Sequence, residues 1–339
     1  MSKRWKNRPD KSNWGDFGPD DQIGRMNLIT PEVRRAAARE IRDGRTFCLS
    51  LPLDYPGGNE LFPLRKAPTF HVERRGEGHN FNYRLSGVCN CFSDVVSDDA
   101  VLLYTQYSTQ WDSLAHVGQM FDADGDGVPE KVYYNGYRGG TDIVGPDDAE
   151  IATGAGALGI ENLATAGVQG RGVLVDLERL HGRSRVVVGY DDLMRVIEDQ
   201  KVEVRRGDFL CIYTGFADLI LSMNKKPDGA VLASSCAVLN GRDERLLDWI
   251  TDSGVVAICA DNFAVEAYPA MPAEGDSYPG LPLHAHCLFK LGLHLGELWY
   301  FAELAPWLRQ NKRSAFFLTA PSLRLPGSVG SPLTPIATV

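Results

Sequence analysis

Runs of apolar residues and helical periodicities divide the chain into strands and helices. Short apolar runs bounded by Gly, Pro, Asp or Asn predict strands over 47–53, 101–107, 172–177, 209–214 and 255–260. The stretch after Thr30 predicts a helix over 31–43, with Thr30 as its cap, Pro31 at the first helical position and Gly44 as its stop. Two further helices are expected over 190–200 and 242–252. Strands interleaved with helices predict an α/β domain. The Gly-, Pro- and Asn-rich segment 54–97 is expected to hold hairpins, so the central sheet should be mixed. No internal repeat or low-complexity tract interrupts the chain. One domain is expected over 19–320, with a mobile N-terminal arm at 1–18 and a C-terminal tail at 321–339.

Composition narrows the class. With 339 residues, 44% of them hydrophobic and 23% charged, the chain is globular and long enough to bury a core without disulfides or metal. Its net charge of −9 argues against a nucleic-acid partner, which calls for a basic face. The basic start is not followed by the apolar stretch of about 7–15 residues that a secretion signal needs. No window approaches the roughly 18 apolar residues of a membrane span. The seven cysteines, at 48, 89, 91, 211, 236, 259 and 287, contain no CxxC pair, and Cys211 and Cys259 lie in apolar runs. Reduced thiols in a cytoplasmic protein are the expectation, with Cys89 and Cys91 as the only candidate redox or soft-metal pair.

Four segments are candidates for chemistry. Gly154, Gly156 and Gly159 form G-x-G-x-x-G with Asp176 beyond, but the residues before them make a poor buried strand, so a glycine-rich loop leading into a helix is the stronger reading. Asp122, Asp124, Asp126 and Gly127 resemble the first half of a calcium loop. Glu130 follows, but Tyr133 stands where the bidentate Glu belongs, so an acidic surface turn is expected. The stretch 106–116, QYSTQWDSLAH, overlaps the end of an apolar run, where an α/β sheet presents its site. In an extended backbone Gln110 and Asp112 project to one face, and His116 follows one helical turn later. That cluster is either a metal site or a capped turn around a buried Asp–His hydrogen bond. Finally, His284, Leu288 and Leu291 share a helical stripe. A continuous helix would carry Glu297 to nearly the opposite face, so Gly292 and Gly296 predict that the chain turns back and returns Glu297 to His284. His286 and His294 read as ordinary core or surface histidines.

These residues resemble the cyclase family of metal-dependent hydrolases, which includes bacterial kynurenine formamidase and isatin hydrolase. The family pattern His-x-Gly-Thr-His-x-Asp-x-Pro-x-His is met in register by Thr109, Asp112 and His116, and its distant His and Glu by His284 and Glu297. Further segments resemble a longer branch of the family: DDQIGRMNLITPE, YYNGYRGG, GRGVLVD, RRGDFLCIYTGF and ADNFAVEAYP. Gln106 and Gln110 replace two motif histidines, Ser108 replaces Gly, and Leu114 replaces Pro.

The resemblance implies a swivelling β/α/β fold and homodimeric or homotetrameric assembly. It also implies a divalent cation held by Gln110, Asp112 and His116 and completed by His284 or Glu297. Carboxamide oxygens make that ligand set harder, which tilts the expectation toward Mn²⁺ or a single Zn²⁺. His284, Glu297 and His116 are the expected catalytic residues. Gln106, Trp111 and Phe263 are expected to line the pocket of a small, aromatic-like substrate. The implied reaction is hydrolysis of a cyclic amide, lactone or formamide by activated water. The alternatives are a lyase or dehydratase on the same site, or a non-catalytic binding protein. No G-x-S-x-G elbow supports a serine hydrolase.

Overall fold

The computed structural model describes residues 3–148, 153–275 and 277–339. Its centre is a nine-stranded mixed sheet. In chain order the strands are β1 (Thr46–Cys48), β2 (Gln110–Asp112), β3 (Gln169–Asp176), β4 (Phe209–Tyr213), β5 (Ala257–Ala260), β6 (His294–Glu297), β7 (Ala315–Thr319), β8 (Gly330–Pro332) and β9 (Ile336–Thr338). In space they run β1-β9-β7-β3-β4-β5-β6-β2-β8. The middle four, β3 to β6, are parallel, and antiparallel strands extend both sides.

Parallel neighbours need crossovers, which place helices over the sheet and bury both of its faces. That is why the middle strands read as unbroken apolar runs. Within them the strand period still separates two cores. Val173, Val175, Leu210, Ile212 and Ile258 face one cluster, with Leu193, Val196, Leu246 and Ile250 packed on them. Leu174, Phe209, Cys211, Ala257 and Cys259 face the other, with Trp111, Trp299 and Phe316. The helices that matter here are α1 (Pro31–Ala37), α2 (Tyr190–Asp199), α3 (Glu244–Ser253) and α4 (Pro282–His284), which continues into a π-helical turn at Ala285–Lys290. Thr30 caps α1 as expected, its hydroxyl accepting from the Val33 N–H at 3.3 Å.

Several expectations need correction. The helix expected over 31–43 ends at Ala37, followed by a 3-10 turn to Glu40. The strand expected over 101–107 shrinks to Ala100–Leu102, which pairs with Thr69–His71 in a small sheet of its own. A turn at Tyr104–Tyr107 separates it from β2, so the QWD segment is an independent strand of the central sheet. Residues 321–339 are no tail: β8 forms one edge of that sheet, β9 lies between β1 and β7 near the other, and Val339 is fully buried. Residues 3–18 of the N-terminal arm lie against the domain, with Trp5 and Trp14 buried. Trp14 stacks edge-on against Phe289 and donates its indole N–H to the Phe289 carbonyl at 2.7 Å.

Cys89 and Cys91 form a disulfide, correcting the expectation of reduced thiols throughout. Their Cα atoms lie 5.2 Å apart, within bridging range. Gly154 and Ala155 pair antiparallel with Ile143 and Val144, so the glycine motif has no βαβ unit; residues 149–152, in the segment preceding it, lie outside the described residues. The position of a Cβ on Gly159 falls beside the Glu161 carboxylate, where a pyrophosphate would need positive surroundings. The acidic turn at 122–130 closes on itself: Asp122 accepts from Gly125, Asp126 and Gly127, and Glu130 pairs with Arg138 at 2.9 Å. Among the described residues no helix is long and apolar enough to cross a membrane.

His294 opens β6 in the core, and its Nδ1 finds no hydrogen-bond partner among the described residues. Burial pushes its pKa down from 6.5 to about 3. The unfolded chain therefore takes up a proton that the folded one refuses, and stability present above pH 6.5 is lost as pH falls toward 3. Urea titrations should show stability dropping by up to about 1.4 kcal/mol per pH unit in that window from this group alone. His294→Leu should flatten the slope, and an unchanged slope would remove His294 as its source.

Candidate metal centre

The site is built where β2 joins the parallel strands. In the antiparallel register of β2 and β6, Glu297 lies directly opposite Gln110. Gln110 and Asp112 share one face of β2, as alternation requires, while Trp111 points to the other. Trp111 is fully buried, edge-on to Trp299 at 5.1 Å, with its indole N–H donated to the Ala320 carbonyl. The expectation that it walls a substrate pocket is therefore corrected: Trp111 anchors the strand from behind.

His284 arrives from helix α4. After the π-helical turn the chain reverses at Gly292, whose positive φ of 55° brings it against the backbone of Gly24, and β6 carries Glu297 back to His284. The return predicted from the glycines is thus made at Gly292. Gly296 instead lies within β6, where a Cβ would meet the Trp299 indole at 2.6 Å. His284 Nε2 lies 3.3 Å from Glu297 Oε1 and 3.9 Å from Asp112 Oδ2. One donor atom from each of Asp112, His284 and Glu297 falls within 4.8 Å of the others, and all three residues are buried.

The imidazole is held by a residue that sequence reasoning missed. Glu266 accepts from His284 Nδ1 at 2.7 Å, from the His284 backbone N–H at 3.0 Å and from the Leu283 N–H at 2.9 Å. A carboxylate in that place fixes the proton on Nδ1 and turns Nε2 toward Asp112 and Glu297. The only signal in the sequence was a Glu embedded in the apolar run AVEA. Ala264 and Val265 just before it have positive φ of 66° and 57°, a strained conformation for a β-branched residue, as does Leu298 after Glu297, at 55°. Thr109 secures that neighbour, its hydroxyl donating to the Leu298 carbonyl at 2.6 Å.

Charge is crowded here. Burial opposes a charged ring at His284, but hydrogen bonds to Glu266 and Glu297 outweigh it and push its pKa up to about 10. Glu297 is held below the usual range: burial raises it, and the hydrogen bond and charge of His284 more than offset that. Asp112 is raised, first by burial and further by the charge of Glu297, against the lowering effect of His116. A proton on His284 thus sits where a cation would balance the carboxylates. Two buried oxygens, Asp112 Oδ2 and Gln110 Oε1, have no hydrogen-bond partner among the described residues. Unpartnered oxygen atoms beside an imidazole nitrogen and a second carboxylate fit a divalent cation.

The remaining expected residues divide. Gln110 donates from Nε2 to Glu297 at 3.2 Å and Asp112 at 3.4 Å, bridging the carboxylates. His116 stands at the rim, its Nε2 3.7 Å from Asp112 Oδ1 and its side chain 21% exposed, outside the group of three. Gln106 is turned away, its Oε1 accepting from the Thr105 hydroxyl and its amide packed against Gly330. Both Gln106 and Phe263 line a narrow cleft, together with Leu298, which follows Glu297 in the chain. His286 meets Thr251 at 2.9 Å, away from the group.

A family model described as "Putative cyclase" matches residues 49–267. The crystal structure of a novel cyclase is 34% identical, covers 97% of this chain and of its own, and superposes with a TM-score of 0.75. Isatin hydrolase A from Labrenzia aggregata shares the fold at 12% identity, covering 87% of this chain and 93% of its own, with a TM-score of 0.53. The isatin hydrolase A of Ralstonia solanacearum is similar at 15% identity, 91% and 97% coverage, and a TM-score of 0.52. Among curated proteins nothing matches the sequence.

Glu266→Gln keeps the shape beside His284 but removes the charge that orders its proton. Calorimetric titration with Mn²⁺ or Zn²⁺ should show affinity reduced by about ten- to a hundredfold with the melting temperature little changed. Undiminished affinity would show that Glu266 does not govern His284.

Proposed function

The chain belongs to the cyclase family, and from that premise we propose that it is a metal-dependent hydrolase of C–N or C–O acyl bonds, acting on a small, flat cyclic amide, lactone or formamide. The observation that carries this reading is the convergence of Asp112, His284 and Glu297, buried together with an unpartnered carboxylate oxygen. A binding protein would gain nothing from burying such groups unpaired, at a cost of several kcal/mol.

Asp112, His284 and Glu297 would hold a divalent cation, with the unpartnered Gln110 oxygen as a further donor. Two carboxylates, an amide and one imidazole suit Mn²⁺ as well as Zn²⁺. When bound, such an ion supplies Lewis acidity toward an acyl carbonyl and brings the pKa of water toward about 7. The chain's own groups do the rest. Glu266 keeps Nε2 of His284 facing the centre, and Gln110 spaces the two carboxylates. His116, at the edge of solvent and next to Asp112, is placed to pass a proton between the site and water. Phe263 and Leu298 give the substrate an apolar wall. Exposed apolar side chains of the 60–104 segment, Leu64, Phe70 and Leu102 among them, support assembly into a homodimer or homotetramer.

Elemental analysis of protein purified without added metal should find about one Mn or Zn per chain. Asp112→Ala and His284→Ala should each lose the metal and reduce hydrolysis of lactones, formamides or cyclic amides to background while remaining folded. Turnover in H₂¹⁸O should place the label in the product carboxylate, which a lyase would not do. No transition metal bound even after incubation with Mn²⁺ or Zn²⁺ would overturn the reading in favour of a binding protein.

A further inference from the structure

Arg65 is a cation that the fold does not account for. Its guanidinium lies over the Phe62 ring, 4.7 Å from the centroid, and 5.8 Å from that of Phe263. One nitrogen donates to the Gln106 carbonyl at 2.7 Å. Among the described residues no carboxylate oxygen comes within ion-pair distance of it. It lines the same cleft as Leu298, the residue that follows Glu297 in the chain. Pro56, Leu61, Phe62, Phe263 and Leu298 supply the apolar part of the cleft that Arg65 lines, and Asn59, Gln106 and Tyr107 its polar part.

A half-buried guanidinium with a single backbone hydrogen bond leaves most of its five N–H donors unused. Packing against Phe62 would be served equally by an uncharged chain, and desolvating an unpaired charge is unfavourable. The same stacking makes sense for recognition. Two rings hold the fork in one orientation, so little rotamer freedom is lost when it takes a planar, two-oxygen anion.

The geometry points to Arg65 as the residue that selects the substrate, by receiving a carboxylate that the substrate itself carries. The substrate class is then a planar, apolar acyl compound with its own carboxylate. That group sits on Arg65, the ring lies along Phe263 and Leu298, and the scissile carbonyl reaches Asp112, His284 and Glu297. This last placement rests on the hydrolase reading. In the reaction, water adds across the acyl C–N or C–O bond: its oxygen stays on the acyl carbon and a proton goes to the leaving nitrogen or oxygen. The recognition carboxylate is unchanged throughout.

Benzoate and benzamide, alike in shape and different in charge, test this by calorimetry on the full-length protein as purified. Wild type should bind benzoate at least about tenfold more tightly than benzamide, the range expected of a charge-assisted contact. Arg65→Met and Arg65→Gln should abolish the preference, Arg65→Lys should retain part of it, and all three should keep the wild-type metal content. Near-ultraviolet circular dichroism confirms that each variant is folded, and either neutral variant suffices. No preference in wild type, or a preference that survives in a folded neutral variant, overturns the inference. A preference lost in Asp112→Ala but kept in Arg65→Met shows that the cation holds the carboxylate: the role of Arg65 falls and the hydrolase reading stands. A preference lost only in the Arg65 variants of a protein without metal does the opposite.

Discussion

Asp112 and Glu297 are held, buried, within 4.8 Å of His284 and of each other. Two like charges at that separation repel by roughly 3.5 kcal/mol at an effective dielectric of about 20. Each also resists desolvation by several kcal/mol. Such a group persists only if something cationic sits among its members and the surrounding structure is stiff enough to prevent its parting. The proton on His284 meets the first requirement in the chain alone, and a divalent cation would meet it better, because it would also engage the orphaned oxygens of Asp112 and Gln110.

Stiffness comes from the sheet. β2 joins the parallel strands antiparallel to β6, and the register sets Gln110 opposite Glu297. Behind that pair, Trp111 and Trp299 lock together, each donating an indole N–H to backbone: Trp111 to Ala320, and Trp299 to the Gln110 carbonyl at 3.2 Å. The aromatic pair therefore fixes from the apolar side the strand that carries the charges on its other face. Gly296 is required between them, since a side chain there would displace the Trp299 ring. His284 is held independently, because Glu266 binds both its ring and the N-terminal turn of its helix.

The same arrangement divides the surroundings by function. Trp111, which adjoins the acidic residues in the chain, belongs to the core. Arg65 and Phe263, distant in the chain, face the cleft. In that cleft Arg65 shares its walls with Phe62, Phe263 and Leu298, and Leu298 adjoins Glu297 in the chain.

Much of this was legible in the chain. Apolar runs located β3, β4 and β5 to within a few residues, because strands buried on both faces admit almost nothing polar. Alternation put Gln110 and Asp112 together, and Gly292 announced the reversal that returns Glu297 to His284. The short strands β2, β8 and β9 carry no such signature. Three residues have too little periodicity to read, and β8 and β9 look like a tail in the sequence because only their partners reveal them as strands. Which face of β2 meets the core and which carboxylate orients His284 depend on strand register and on a strained loop. So does the stacking of Arg65 over Phe62, with no carboxylate beside it among the described residues. These contacts join residues tens to hundreds of positions apart, and local patterning encodes only what a residue's near neighbours can enforce.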